Sequence, residues 1–295
     1  MLYDRYMRSK KFDDIIKYIK TTDKPIALVL SVDLNGLGVV RSLGRRDIPV
    51  IGLDPTPRQI GLFSRYCKGI VCPDPENKEK GYINFLLSLG VQLNTKGVLI
   101  PTGDVDVLAI SKHRDKLERY YELPMAKLEV IEKLVNKKEF YKTLEKLDMP
   151  HPKTYFPDDI SEVKQISKEI TYPYIIKPVF SQKFSKKFSG AKVFKVNSEE
   201  ELVKAYTKAT SSGHDVVIQE VIPGSDTNLH LAGAYFNHAS EPLGIFTFRR
   251  IRQYPHVFGN GALCVSIWIP EIAELCTSLL KKIKYHGIID AELKR

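Results

Sequence analysis

Four short apolar runs, at 26–30, 49–52, 69–71 and 98–101, alternate with stretches of helical spacing at 36–44, 79–90 and 104–120. That alternation restricts the first part of the chain to a parallel sheet with helices on both faces. Two parallel strands need a long crossover, and the crossover helix packs back on the sheet. The first crossover holds the run SVDLNGLGVVRSLGRRDIPVIGLD. A dinucleotide fingerprint places glycine at three positions, the third so that the helix can approach the strand closely. Here the run is Gly36-Leu37-Gly38-Val39-Val40-Arg41, with an arginine at the third position. Asp54, at the end of the second strand, is of the type that holds a ribose. Two readings follow: an incomplete nicotinamide site, or a tight strand-to-helix turn that faces a substrate.

A length of 295 residues is enough for more than one domain, and 43% hydrophobic with 27% charged residues is a globular balance. No apolar run approaches the roughly 18 residues that span a bilayer. The N-terminus, MLYDRYMRSKKFDDIIKYIK, reads as an exposed leading helix without a signal-peptide core, which implies the cytoplasm. The four cysteines (67, 72, 264 and 276) have neither the number nor the spacing of a disulfide or zinc framework and read as buried thiols. The formal charge is +10. Between 171 and 198 there is no acid, yet Lys177, Lys183, Lys186, Lys187, Lys192 and Lys195 all fall there. One-sign charge of this kind suits nucleic acid or polyphosphate. The aromatic-flanked basic motifs of RNA modules are missing, so nucleic acid is the weaker partner.

Pro124 opens a new unit, and two helices fit before Pro150 and Pro152 end them. TYPYIIKPVF reads as a strand, followed by a loop at 181–190, a second strand, and a helix opened by Ser198 with Glu201 three residues on. HDVVIQEVIPGSD is a strand leaving through a Pro-Gly turn. Long strands fit at 229–236 and 243–252, a helix runs from Pro270 toward Gly287, and IIDAELKR is one more strand.

In order and spacing, NKKEFYKTLEKLDMPHPKT, YPYIIKPVF, VVIQEVIPGSD, FRRIRQYP and GIIDAELKR resemble the ATP-grasp family, in particular its carboxylate–amine ligases of D-aspartate-ligase and carbamoyl-phosphate-synthase type. IPTGDVDVLAISKHRDKL in the front part resembles that family's N-terminal domain. The resemblance covers almost the whole chain from about residue 25. It implies an α/β protein: a Rossmann-like parallel α/β domain over 1–124, then a two-part α+β ATP-grasp domain over 125–295, with its lid near 150–218.

By the same resemblance, Lys177 and Lys137 contact the phosphates of ATP, with Lys138 the neighbour that competes with Lys137. A lysine on a strand is a fixed point charge, which suits a phosphate oxygen. Glu220, Val221 and Ile222 would hold adenine through backbone groups, and Asp226 the ribose. Ser189 and Gly190 would belong to the phosphate-covering loop. That loop is usually rich in glycine, because backbone N–H groups must approach phosphate. Here it has one glycine, three lysines and two phenylalanines, so side-chain contacts are expected instead. Strand alternation puts Arg250 and Arg252 on one face, to hold a γ-phosphate, an acyl phosphate or a substrate carboxylate. Asp290, Glu292 and Lys294 share a face, and Glu292 matches the family's Mg2+ ligand. The family's second metal glutamate, two residues before an asparagine, lies on a following strand that the sequence does not reach.

The expected function is an ATP- and Mg2+-dependent ligase acting on a small carboxylate and an amine, with no membrane partner and a homodimer left open. An NAD(P)-dependent oxidoreductase and a non-catalytic nucleotide- or RNA-binding protein are the alternatives. Asp104 and Asp106 are either acids facing an amine substrate or ordinary helix N-terminal residues. His151, His214, His230, His238, His256 and His286 are scattered and read as structural or exposed.

Overall fold

The computed structural model describes residues 9–180, 184, 187–254 and 258–295. The leading residues 1–8, Lys183, Lys186 and His256 lie outside the described residues. The chain forms two compact units, one ending at Ile131 and one from Glu132 to Arg295.

The first unit begins with α1 (Lys10–Lys20), capped by Ser9, whose hydroxyl accepts from the Phe12 amide at 3.2 Å. Phe12, Ile15 and Ile19 are buried at helical spacing. The chain continues through β1 (Ala27–Leu30), α2 (Leu34–Gly44), β2 (Val50–Asp54), β3 (Lys68–Val71), α3 (Glu79–Gly90) and β4 (Gly97–Pro101). The helices α4 (Asp104–Lys112) and α5 (Arg114–Leu117) and the short β5 (Tyr121–Glu122) complete it. The sheet is parallel, ordered β3-β2-β1-β4-β5. β1 and β2 are buried at every position, which is why they read as continuous apolar runs. The helix expected over 104–120 is broken at His113 and gives way to β5.

The glycine run differs from its expected form. α2 starts at Leu34, so Gly36 and Gly38 lie inside the helix and not in the turn before it. Ser31, at φ 59°, makes the turn. Asp33 caps the helix, accepting from the amides of Asn35 (3.0 Å) and Gly36 (3.4 Å). Those are the N–H groups a pyrophosphate would need, and a carboxylate already holds them. Gly36 is required by packing: a Cβ there would sit 2.5 Å from the Ser31 carbonyl oxygen.

The second unit holds two antiparallel sheets. The helix α6 (Leu128–Val135), within which the division falls, and α7 (Lys137–Lys146) lead into the first, ordered β6-β9-β7-β8. Its strands are β6 (Thr154–Tyr155), β7 (Tyr174–Pro178), β8 (Phe194–Val196) and β9 (Val216–Glu220). α8 (Ile160–Glu169) and α9 (Glu199–Thr210) supply Val163, Leu202, Tyr206 and Ala209 to the core that also takes Tyr174, Ile176 and Ile218 from the sheet. Ser198 caps α9 through the Glu201 amide, and Glu201 reaches back to the Asn197 amide at 2.8 Å. The second sheet is ordered β12-β11-β10-β13. It comprises β10 (Leu229–Phe236), β11 (Pro242–Tyr254), β12 (Asn260–Ser266) and β13 (Gly287–Lys294), with α10 (Pro270–Lys282) before the last strand. β12 was not expected. All its residues are exposed, and it is held by backbone pairing to β11. Cys72 and Cys276 are buried as expected, whereas Cys264, on β12, is exposed.

Candidate active site: a cation-lined cleft

A cavity of about 1510 Å³ opens within the second unit, walled by residues of both sheets. Lys137, Lys177, Glu220, Val221, Ile222, Asp226, Arg250, Arg252 and Glu292 all line it. Five segments spread over more than 150 positions thus converge on one space.

Lys177 lies on β7, and its ammonium donates to Gln219 Oε1 at 2.7 Å. Burial pulls its pKa below the usual lysine range, and the nearby charge of Glu292 opposes that pull. Lys137 is the first residue of α7, capped by Asn136, and its amide donates to Val179 O at 3.4 Å. Lys138 turns away to Asp158 at 3.2 Å, so Lys137 is the lysine that faces the cleft. Lys192 also lines it, hydrogen-bonded to Asn260. Burial lowers the pKa of Lys192, Glu292 opposes this, and Arg250 adds to the lowering.

Arg250 is 6% exposed and pairs with Glu292 through Nη2, while Nη1 donates to Gln253 Oε1 at 3.1 Å. Its Nε has no hydrogen-bond partner among the described residues. Arg252 differs from the expected arrangement. The β11–β12 register shifts on either side of it, so Ile251 is an extra residue and the simple alternation breaks. Arg252 reaches the cleft as an exposed side chain. The same bulge brings Gln253 to Arg250, and Gln253 in turn holds Asp226 through its side-chain amide (2.7 Å) and its backbone amide (3.2 Å).

The edge strand β13 places Glu292 opposite Leu231 and Asp290 opposite Gly233, on the face that carries Arg250. Burial first, and then the like charge of Glu292, push the Asp290 carboxyl up to about 6, against a lowering from Arg250. Where β9 leaves its sheet, the Glu220 and Val221 amides bond to the carbonyls of Lys153 (3.0 Å) and Pro173 (3.4 Å). The Glu220 carboxylate accepts from the Lys153 amide at 2.7 Å. No hydrogen bond among the described residues uses the Ile222 amide, which leaves a donor at the cleft wall.

Ser189 and Gly190 are exposed, lie in left-handed conformations (φ 51° and 88°) and are not part of the cleft wall. Close to them in sequence, Phe184 is fully buried against Phe188 (4.6 Å), Phe194 (5.1 Å) and His214 (5.3 Å). Lys192, Gln219 and Gln253 are the cleft residues that sequence reasoning missed. Lys192 stood in the acid-free segment and carried that much signal.

In the first unit, Asp106 does not face a substrate. It is 2% exposed and accepts from Ser31 and from Tyr82 at 2.6 Å. Asp104 is exposed at the start of α4. Among the described residues no group of three or more His, Cys, Asp or Glu could hold a metal, and no helix is long and apolar enough to cross a membrane.

No family model matches the chain. It is 26% identical to the D-aspartate ligase of Enterococcus faecium over 288 residues, covering 91% of this chain and 67% of that protein. Its fold matches an L-amino acid ligase from Bacillus licheniformis at a TM-score of 0.64 and 14% identity, over 93% of this chain and 64% of the other. It also matches the N5-carboxyaminoimidazole synthetase of Staphylococcus aureus complexed with ADP, at a TM-score of 0.65 and 13% identity, over 92% of this chain and 66% of that one. The chain has the ATP-grasp fold. It spans about two thirds of the length of the proteins it matches. Residues of both antiparallel sheets of the second unit wall the cleft, and Gly36 of the glycine run is fixed by its packing against Ser31.

Proposed function

We propose that the chain carries the ATP site of a ligase that activates a carboxylate as an acyl phosphate for attack by an amine. The observation that carries this reading is the convergence of Lys177, Lys192 and Arg250 around Glu292, in a cleft that Lys137 and the Ile222 amide also line. Polyphosphate needs several fixed cations, and adenine needs a donor and an acceptor on one edge. Lys177 and Lys137 would hold phosphate oxygens, and backbone groups from Glu220 to Ile222 would hold adenine. Asp226, oriented by Gln253, would accept from ribose hydroxyls. Arg250 and Arg252 would meet the transferring phosphoryl group or the substrate carboxylate.

Mg2+ fits this donor set. The Glu292 carboxylate is half exposed on the cleft face, and Mg2+ among phosphates takes one or two carboxylates. It would supply charge neutralisation at the phosphate oxygens. The substrate carboxylate oxygen attacks the γ-phosphorus, and the bond to the bridging oxygen breaks to release ADP. The amine nitrogen then attacks the acyl carbon, phosphate leaves, the nitrogen loses a proton and an amide forms. No side-chain nucleophile is required. The chain's residues position the reactants and stabilise charge. The relatives named as D-aspartate ligase and L-amino acid ligase make amino acids the first substrates to test.

Hydroxylamine, a small strong amine, tests the route. With ATP and Mg2+, one member of a panel of amino acids and dicarboxylates should yield a hydroxamate with equimolar ADP. Phosphate release that is indifferent to every carboxylate, without hydroxamate, contradicts the acyl-phosphate route.

A further inference from the structure

Gln219 is an unusual residue to find at 2% exposure in the middle of a sheet. It lies on β9 opposite Ile175, diagonal to Lys177, and both ends of its amide are hydrogen-bonded. Lys177 Nζ donates to Oε1 at 2.7 Å, and the Tyr141 hydroxyl approaches the same oxygen at 3.4 Å. Nε2 donates to Thr154 Oγ1 at 2.9 Å, and the Thr154 hydroxyl donates to Pro152 O at 2.7 Å.

The direction of this chain is fixed by chemistry. An ammonium has only donors, so the amide must turn its oxygen to Lys177. A backbone carbonyl has only lone pairs, so the Thr154 proton must point to Pro152, and its oxygen must accept from Gln219. With both ends fixed, the amide cannot flip without leaving a buried donor facing a donor. Lys177 is thereby held at one point on the cleft wall, although its flexible stem would otherwise sample many rotamers.

We propose that Gln219 is a positioning residue for phosphate binding, holding the Lys177 ammonium in place through a one-way hydrogen-bond chain that ends at Pro152. The inference rests on the nucleotide reading of the cleft. It predicts that Gln219 matters to a ligand's phosphates and not to its base or sugar.

The test compares ADP and adenosine binding by calorimetry in the full chain, in Gln219→Met, in Lys177→Met and in the double variant. Gln219→Met should weaken ADP by about tenfold to a hundredfold, the size of a hydrogen bond to a charged group. Adenosine affinity should stay within about twofold, and on the Lys177→Met background the Gln219→Met effect on ADP should nearly vanish, because the two act as one unit. Equal losses for ADP and adenosine, an undiminished loss on the Lys177→Met background, or no loss of ADP would each overturn the proposal. A wild-type chain that binds neither ligand would overturn the nucleotide reading instead. If Gln219→Met does not fold, Thr154→Val carries the test, since it leaves Gln219 in place and cuts the next link. It should give the same ADP-only loss at smaller size, and an unchanged ADP affinity would overturn the proposal.

Discussion

At the scale of single residues, the cleft joins charges that sequence alone could name to amides that it could not. Lys177 stands out as a cation between Ile176 and Pro178 on an apolar strand. Gln219 and Gln253 carry no charge and no motif. Their roles come from a sheet diagonal and from a bulge, both of which depend on pairing partners far away in sequence. Gln253 bridges Asp226 and Arg250, so Gln253→Ala should weaken ADP binding by releasing both. The expected size is about twofold to tenfold, one net hydrogen bond, read by calorimetry. An unchanged affinity would show that the bridge is idle.

Asp106 offers a second residue-scale check. Burial holds its carboxyl above the ordinary range, against hydrogen bonds from Ser31 and Tyr82 that lower it. A folded-state pKa above the unfolded one means the native protein binds that proton more tightly. The contribution is therefore full below the unfolded carboxylate value of about 3.9 and is lost as pH rises through the folded one. Asp106→Asn should flatten the fall in thermal stability as pH rises above the unfolded carboxylate value of about 3.9. A slope that the substitution leaves untouched contradicts the assignment.

At the scale of elements, the two glycines of α2 separate cleanly. An alanine at 36 would drive its Cβ against the Ser31 carbonyl, while nothing lies within 4 Å of one at 38. Gly36→Ala should cost about 1–3 kcal/mol by overpacking. Gly38→Ala should add up to about 1 kcal/mol, because glycine is a poor helix former. Denaturant unfolding reads both, and equal effects would mean that the glycines share a role. The sequence showed that glycines stood near a strand-to-helix turn. It did not show that Asp33 would start the helix earlier, because Asp, Asn and Gly are all plausible caps. The break at His113 was likewise illegible, since neither glycine nor proline marks it; there Arg114 turns to bond the carbonyls of Met125 (2.6 Å) and Ala126 (2.8 Å). Phe184 is the element-scale surprise in the second unit. Its ring is fully buried in a loop expected to meet phosphate through side-chain contacts, and Phe184→Ala should cost about 3–5 kcal/mol for an emptied aromatic site.

At the scale of the whole molecule, alternation of strand and helix was enough to read the parallel sheet, because burial on both faces forces apolar runs. β12 escaped notice because all its residues are exposed and its backbone pairing to β11 leaves no apolar pattern. The net charge of +10 also gains a location: part of it lies in the second unit's cleft, where five lysines and three arginines face five carboxylates. We expect this cleft to bind adenine nucleotide through Lys177 and α2 to bind no dinucleotide. Calorimetric titration of ADP with Mg2+, and of NADH, into the wild-type chain and Lys177→Met tests it most directly. The wild-type chain should bind ADP at one site and not NADH, and Lys177→Met should weaken ADP by about tenfold or more. NADH binding as tight as that of ADP, or an ADP affinity indifferent to Lys177, would contradict it.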